Sequence, residues 1–291
     1  MSNLKEIRTR IASVESTQKI TSAMKLVSAA KLRRAQNAIA NVKPYSSKLS
    51  AVLHNLSASI GISGESFLFA IRKPENVALI AVTSNRGLCG PFNTNVIKEV
   101  HRIVNEEYQA QFLKGKLKLI CIGKKGEEQL RKSYEIMYAN DSLLDMPHFD
   151  EVAKFASNLI NDFRDKKIDK VVIVSNHFVN PSTQKVAIEP FLPLVNIEKK
   201  APANGTNFIL EPSQEILVDS LIPKILKLQL YKTILDSIAA EHGARMIAMA
   251  KATDNAVEIL KELKLKYNNL RQAAITNELN EIVGGAEALH S

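Results

Sequence analysis

Helix breakers are what this sequence has least of. Between Lys224 and Val283 there is no proline and one glycine, Gly243, and between Ser2 and Lys43 there is neither. A bundle of short helices needs turn residues that these stretches do not contain. Each is therefore predicted as one long helix. At about 1.5 Å rise per residue the C-terminal helix would reach roughly 90 Å, against about 40–50 Å for a compact domain of this chain's length. Tryptophan is absent, and cysteine is limited to Cys89 and Cys121. Two cysteines without metal-ligand spacing exclude a disulfide framework or a cysteine metal site and suit a reducing compartment. The N-terminus, MSNLKEIRTR, lacks the apolar core of a secretory signal. Apolar runs such as Val77–Val82 fall far short of the roughly 20 residues of a membrane span. With 45% apolar and 24% charged residues, neither a disordered nor a fibrous class fits. The expectation is a soluble, cytoplasmic chain.

What is present is a stripe. Tyr231, Leu235, Ile238, His242, Met246, Met249, Thr253, Ala256, Leu260, Leu263, Tyr267 and Leu270 recur at spacings of three and four. A face that long needs a partner of similar length, as in a coiled coil. The N-terminal helix, ended or kinked at Pro44 and resuming to about Ser59, offers one. Leu4, Ile7, Ile11 and Val14 keep heptad spacing, as do Leu32, Ala35, Ile39 and Val42. Between them the same frame falls on Gln18, Thr21, Lys25 and Ser28, while Ile20, Met24 and Val27 carry the apolar face elsewhere. This predicts a local slip of the stripe, with altered supercoiling and a third partner for the middle of the helix. The two helices are expected to pair antiparallel, with the register open between Ile7 opposite the region of Leu263 and Ile7 opposite Ile238–Met249. Charge is also uneven. Ten cations stand against Glu6 and Glu15 in residues 1–48, an excess of +8 out of +9 for the whole chain. Such a face wants an acidic protein surface, a nucleic acid or an anionic membrane.

Between the long helices, strands and helices alternate. Strands are predicted at Val77–Thr83, Lys116–Ile122, Glu135–Tyr138 and Lys170–Ser175, with Lys185–Leu192 as a hairpin partner after the Asn180–Thr183 turn. Helices are predicted at about Asn93–Gln111, from Gly126 to about Lys132, and at Phe149–Asp165. This is an α/β domain with a mostly parallel sheet. The expected domains are a helix over 1–60, the α/β domain over 75–195 and a helix over 212–288, with linkers near 61–75 and 197–212. Two glycine loops follow strands, Arg86-Gly87-Leu88-Cys89-Gly90 and Gly123-Lys124-Lys125-Gly126. Neither fits G-x-x-x-x-G-K-[ST] or G-x-G-x-x-G, and no H-E-x-x-H or nucleophile–base arrangement is present. No catalytic residue, cofactor site or metal site is expected.

Several stretches together resemble the γ subunits of F-type ATP synthases. Lys5–Gln36 is similar to that family's first helix and Thr83–Asn93 to its inner strand-loop motif. Gly243–Ala256 and Arg271–Ala288 are similar to its C-terminal helix, and Ile275, Thr276, Glu278, Glu281, Gly285 and Ala286 match its signature. The resemblance implies an antiparallel coiled coil of the terminal helices within an α3β3 ring, and a Rossmann-like α/β domain touching the ε subunit and the c-ring. It implies a central-stalk rotor that couples proton-driven c-ring rotation to ATP synthesis in the β subunits, at the cytoplasmic face of the plasma membrane. Ring contacts would fall near Met24, Arg245, Arg271, Gln272, Thr276, Glu278 and Glu281. Asn85 stands where many relatives have Asp, Pro91-Phe92 follows Gly90, and the cysteine-bearing insert of chloroplast members is missing. On the residues alone, two rivals stay open: a basic coiled-coil scaffold that binds nucleic acid, and a phosphate-binding α/β enzyme.

Overall fold

The computed structural model describes residues 2–60, 68, 72–145, 147–194 and 214–290. The expected linkers lie largely outside the described residues. The long breaker-free stretches are helices: α1 spans Ser2–Ile60 and α7 spans Gln214–His290. Neither Pro44 nor Pro223 ends its helix; both lie inside. The first helix therefore continues past the proline where a break was a possibility. The chain is an α/β protein in which two terminal helices form an antiparallel coiled coil and a Rossmann-like α/β domain is inserted between them in sequence. It divides into two compact units, Met1–Ser28 with Met246–Ser291, and Ala29–Arg245.

In the larger unit the five strands are β1 (Val77–Val82), β2 (Leu117–Ile122), β3 (Ile136–Asn140), β4 (Lys170–Asn180) and β5 (Thr183–Leu192). Their order is β3-β2-β1-β4-β5. Pairings β1–β2, β1–β4 and β2–β3 are parallel, and β5 returns antiparallel on β4 as the predicted hairpin. Every residue of β1 is buried, as expected for a central strand covered on both faces. Helix α2 (Phe92–Glu106) lays Val96, Val100, Ile103 and Val104 on Leu79, Ala81, Leu119 and Val174. On the other face Ile173 pairs with Glu189 across the β4–β5 ladder, and the Thr233 hydroxyl of α7 donates to Glu189 at 3.2 Å. That face is the one α7 covers, with Leu226, Leu230, Ile234 and Leu235 buried along it.

The remaining helices are α3 (Gln109–Leu113), α4 (Lys124–Leu130), α5 (Ser142–Asp145) and α6 (Phe149–Arg164). The helix expected to run on to Gln111 breaks at Tyr108 into α2 and α3. No sequence signal announced α5; the Asn140 side chain starts it by accepting from Ser142 N at 2.9 Å and Leu143 N at 3.3 Å. In the smaller unit, Arg8 donates to Tyr267 at 2.8 Å, Lys264 pairs with Glu15 at 3.2 Å and Thr253 donates to Thr21 at 2.8 Å. One index rises as the other falls, so the helices run antiparallel. The register left open by the sequence is the one in which α1 begins against Tyr267 and not against Ile238–Met249. The first helix is aligned with the far end of α7.

Candidate rotor surfaces and the end of the parallel sheet

The seam of the helical pair follows the predicted stripe. Met249, Thr253, Ala256, Leu260, Leu263, Tyr267 and Leu270 are buried or half-buried, whereas most positions between them are exposed. On α1 the heptad frame is kept except at Lys25, which is exposed while the neighbouring Met24 is half-buried. Gln18, Thr21 and Ser28 stay in it, and Thr21 and Ser28 are buried. The Thr253 hydroxyl donates to Thr21 Oγ1, which donates to Gln18 O at 3.0 Å, so the polar side chains in the seam are paired. The apolar residues of this stretch are turned out instead. Ile20, Leu26 and Val27 are 59%, 69% and 57% exposed. A coiled coil selected only for stability would reverse this arrangement. Met24 lies half-buried beside them. Beside them Lys19 and Lys25 make no ion pair among the described residues, nor do Arg33, Arg34, Lys43 and Lys48 further along α1, although Arg10 pairs with Glu6 at 3.1 Å.

Beyond Tyr267 the pairing runs out. Only about six residues of α1 precede Arg8, enough to accompany α7 for roughly 9 Å more. From Arg271 to Ala286 every residue but the half-buried Ala274 is exposed. Arg271, Gln272, Thr276, Glu278 and Glu281 lie together on this stretch, interleaved with exposed Ile275, Leu279, Ile282 and Val283. Five of the seven expected contact residues thus share the exposed end of α7, three of them (Thr276, Glu278 and Glu281) beyond the reach of α1, and Met24 belongs to the same unit.

Arg245 differs. It is 6% exposed, within the larger unit. Its Nη1 donates to Glu241 Oε1 at 2.6 Å and meets His242 Nδ1 at 3.3 Å, and its Nη2 and Nε donate to the carbonyls of Arg86 (2.9 Å) and Gly87 (3.2 Å). A guanidinium only donates, so His242 Nδ1 is the acceptor and the neutral ring carries its proton on Nε2. Burial, reinforced by Arg245 and Lys31, lowers His242 to about 4. Burial raises Glu241, with Arg245 opposing. Sequence reasoning found Arg245 but missed Glu241 and His242. Their i, i+3 and i+4 spacing from Arg245 was the available signal.

In the second glycine loop packing explains the glycines; in the first, Gly90 has φ 59° and neither Gly87 nor Gly90 is crowded. A Cβ on Gly123 would come within 2.6 Å of Thr83 O, and one on Gly126 within 2.6 Å of Thr83 Oγ1. The amides at the start of α4 that could cradle a phosphate already have partners. Lys124 N bonds Asn85 Oδ1 (3.3 Å), Lys125 N bonds Ser84 O (3.0 Å) and Gly126 N bonds Thr83 Oγ1 (2.9 Å). Asn85 also donates from Nδ2 to Asp141 O at 2.8 Å, which an ionised Asp there could not do. Sheet order reverses between β1 and β4, where open α/β enzymes take their ligands beyond the carboxyl ends of the strands. Here Ala240 and Ala244 of α7 pack there on Cys89 and Phe92. Burial raises the Cys89 thiol, and Ser84, Asn93 and the Arg86 carbonyl surround it.

The family model described as ATP synthase matches residues 3–289. The ATP synthase gamma chain of Flavobacterium psychrophilum is 53% identical over 291 residues, covering 99% of each chain. The chain belongs to the ATP synthase gamma chain family. The gamma chain of Flavobacterium johnsoniae is 51% identical, and the match covers 100% of both chains. A chain of the Euglena gracilis mitochondrial ATP synthase, solved as OSCP/F1/c-ring in rotational state 3, superposes with a TM-score of 0.68 at 21% identity. That match covers 99% of this chain and 95% of the other and supports the fold. Among the described residues no helix is long and apolar enough to cross a membrane.

Proposed function

We infer that this chain is the central-stalk rotor subunit of ATP synthase, coupling proton-driven c-ring rotation to ATP synthesis in the β subunits of an α3β3 ring. The observation that carries this reading is the terminal stretch Ile275–Ala286, a lone helix that exposes Ile275, Leu279, Ile282 and Val283 among polar side chains. A single helix of that length is marginal in water and is ordered by what surrounds it. Met24, Arg271, Gln272, Thr276, Glu278 and Glu281 are the side chains placed to meet the ring. The unpaired cations of α1 suit an acidic β surface. The α/β domain meets the ε subunit and the c-ring, and the complex lies at the cytoplasmic face of the plasma membrane.

The mechanism needs no chemistry from this chain. An asymmetric helical pair presents different residues to each of three otherwise equivalent β subunits. Each β subunit shifts between nucleotide-binding states according to the contact it receives. Nucleotide chemistry belongs to β, and the chain supplies no catalytic residue. The occupied amides of α4 and the filled end of the parallel sheet favour this over a phosphate-binding enzyme. The apolar residues among the cations of α1 favour a protein partner over a nucleic-acid backbone.

Affinity capture of the tagged chain from its host membranes, with identification of co-purifying subunits by mass spectrometry, tests the reading. Stoichiometric α, β and ε with c-subunit is expected. Recovery of the chain alone, or with nucleic acid that salt removes, would overturn it.

A further inference from the structure

Between α6 and α7 the larger unit holds a cavity of about 370 Å³, within the size range of small-molecule sites. Its apolar lining is Leu68, Ile160 and Pro223; Leu68 and Ile160 are buried, and Pro223 has no N–H to offer. Its polar lining is Arg164 and Asn161 of α6 and Lys227 of α7, with Ser157 one turn before Asn161. These groups are arranged to donate. Arg164 Nη2 donates to Asn161 Oδ1, which leaves Asn161 Nδ2 and the other guanidinium nitrogens as donors. Ser157 gives its proton to Ala153 O at 2.8 Å. No carboxylate is among the described lining residues, and neither Arg164 nor Lys227 makes an ion pair among the described residues. Asp162 and Asp165, the acids nearest in sequence to Arg164, are taken by Lys167 at 3.2 and 3.5 Å. Lys224, one turn before Lys227, adds an exposed cation. Arg164 stands in the last turn of α6, where the helix end alone favours a cation, but Lys227 lies in the interior of α7 and has no such reason. Two uncompensated cations repel a metal ion or an organic cation and attract an anion. A bare inorganic anion would leave Leu68, Ile160 and Pro223 against water, so the chemistry that fits both halves is an acid group on a short apolar body.

We propose that the cavity between α6 and α7 binds an anionic amphiphile, with its carboxylate or phosphate between Arg164 and Lys227 and its hydrocarbon against Leu68, Ile160 and Pro223. A free fatty acid and an anionic phospholipid both present this chemistry. The site lies within the larger unit and does not depend on the rotor reading.

The probe is octanoate, followed by equilibrium dialysis of the radiolabelled acid against the full-length chain. Saturable binding of one octanoate per chain is expected. Lys227→Gln removes a cation without an ion pair, so the fold should tolerate it, and the loss of one charge-assisted contact should weaken binding about tenfold or more. Ser157→Leu is the independent variant: it keeps both cations, fills the cavity and should abolish binding. Lys154→Gln, on an exposed position of α6, should leave binding unchanged. Circular dichroism on each variant shows that it is folded. No saturable binding at millimolar octanoate would overturn the proposal, as would binding that survives Lys227→Gln or Ser157→Leu in a folded chain. Displacement of octanoate by an equal concentration of inorganic phosphate would mean that the hydrocarbon contributes nothing, and would overturn it equally. Flotation with phosphatidylglycerol vesicles separates the two sources. Retention that Lys227→Gln and Ser157→Leu both remove assigns the acid to a lipid, and octanoate binding without retention assigns it to a free acid.

Discussion

Replacing Ile20, Leu26 and Val27 together by Gln separates what holds the chain together from what it binds. The three side chains are more than half exposed in the free chain, so its own fold gains little from them. Full burial of such a side chain is worth about 1.5–3 kcal/mol. Covering the exposed fraction against a partner is therefore worth about 1–2 kcal/mol each and about 3–5 kcal/mol together. That corresponds to a loss of about two to three and a half orders of magnitude in affinity for the partner. Glutamine has a helix propensity at least as good as isoleucine or valine, so α1 should not weaken. The assay pairs two readings on one preparation. Urea unfolding of the isolated chain should shift by no more than about 0.5 kcal/mol, while equilibrium binding to an α3β3 ring from the same host should weaken by the stated factor. Unchanged ring affinity would refute the reasoning. So would a stability loss well above that limit, because the three residues would then be packed inside the chain.

Three further outcomes follow from the geometry. His242 is lowered to about 4 from 6.5 by burial, so the unfolded chain binds its proton first. Its contribution is complete above about pH 6.5 and is lost as pH falls towards 4, by up to about 3 kcal/mol. Burial-raised Glu241 has the opposite sign, so the wild-type minus His242→Gln difference in unfolding free energy is the quantity to follow, and a difference flat from pH 7 to 4 would contradict the assignment. Gly126→Ala drives a Cβ against Thr83 and should destabilise by about 1–3 kcal/mol in chemical unfolding, whereas Gly87→Ala meets nothing within 4 Å and should be near neutral. Amide exchange after about Ala274 should be fast in the free chain and slow in the complex; full protection of Ile275–Val283 in the free chain would mean that this stretch packs on its own protein.

The long helices were legible because a missing class of residue is easy to see, and the seam of α7 because its spacing persists from Met249 to Leu270 without interruption. Strand placement followed from runs such as Val77–Val82, and the hairpin from the turn at Asn180–Thr183. The middle of α1 was misread. Ile20 and Val27 looked like a seam that had moved, and only the partner helix shows that Thr21 and Ser28 remain in it, paired through hydroxyls. Periodicity assumes that apolar residues face inward, and here Ile20, Leu26 and Val27 face outward. Register was not legible for a related reason: both stripes are long, and nothing in either one marks where its partner begins. Arg245 was found by resemblance, but its burial and its hold on the Arg86 and Gly87 carbonyls depend on residues far away in sequence, which spacing does not reveal.

The most direct test of a rotor role is to watch the chain turn. An α3β3 ring from the same host, assembled with this chain and fixed to a surface, would carry a bead on a cysteine placed at exposed Lys154 of α6, with Cys89 and Cys121 left buried. Supplied with ATP, a rotor turns the bead continuously in one direction, and the motion stops when ATP is removed. A ring that hydrolyses ATP while the bead on a bound chain stays still, or moves equally in both directions, would contradict the account.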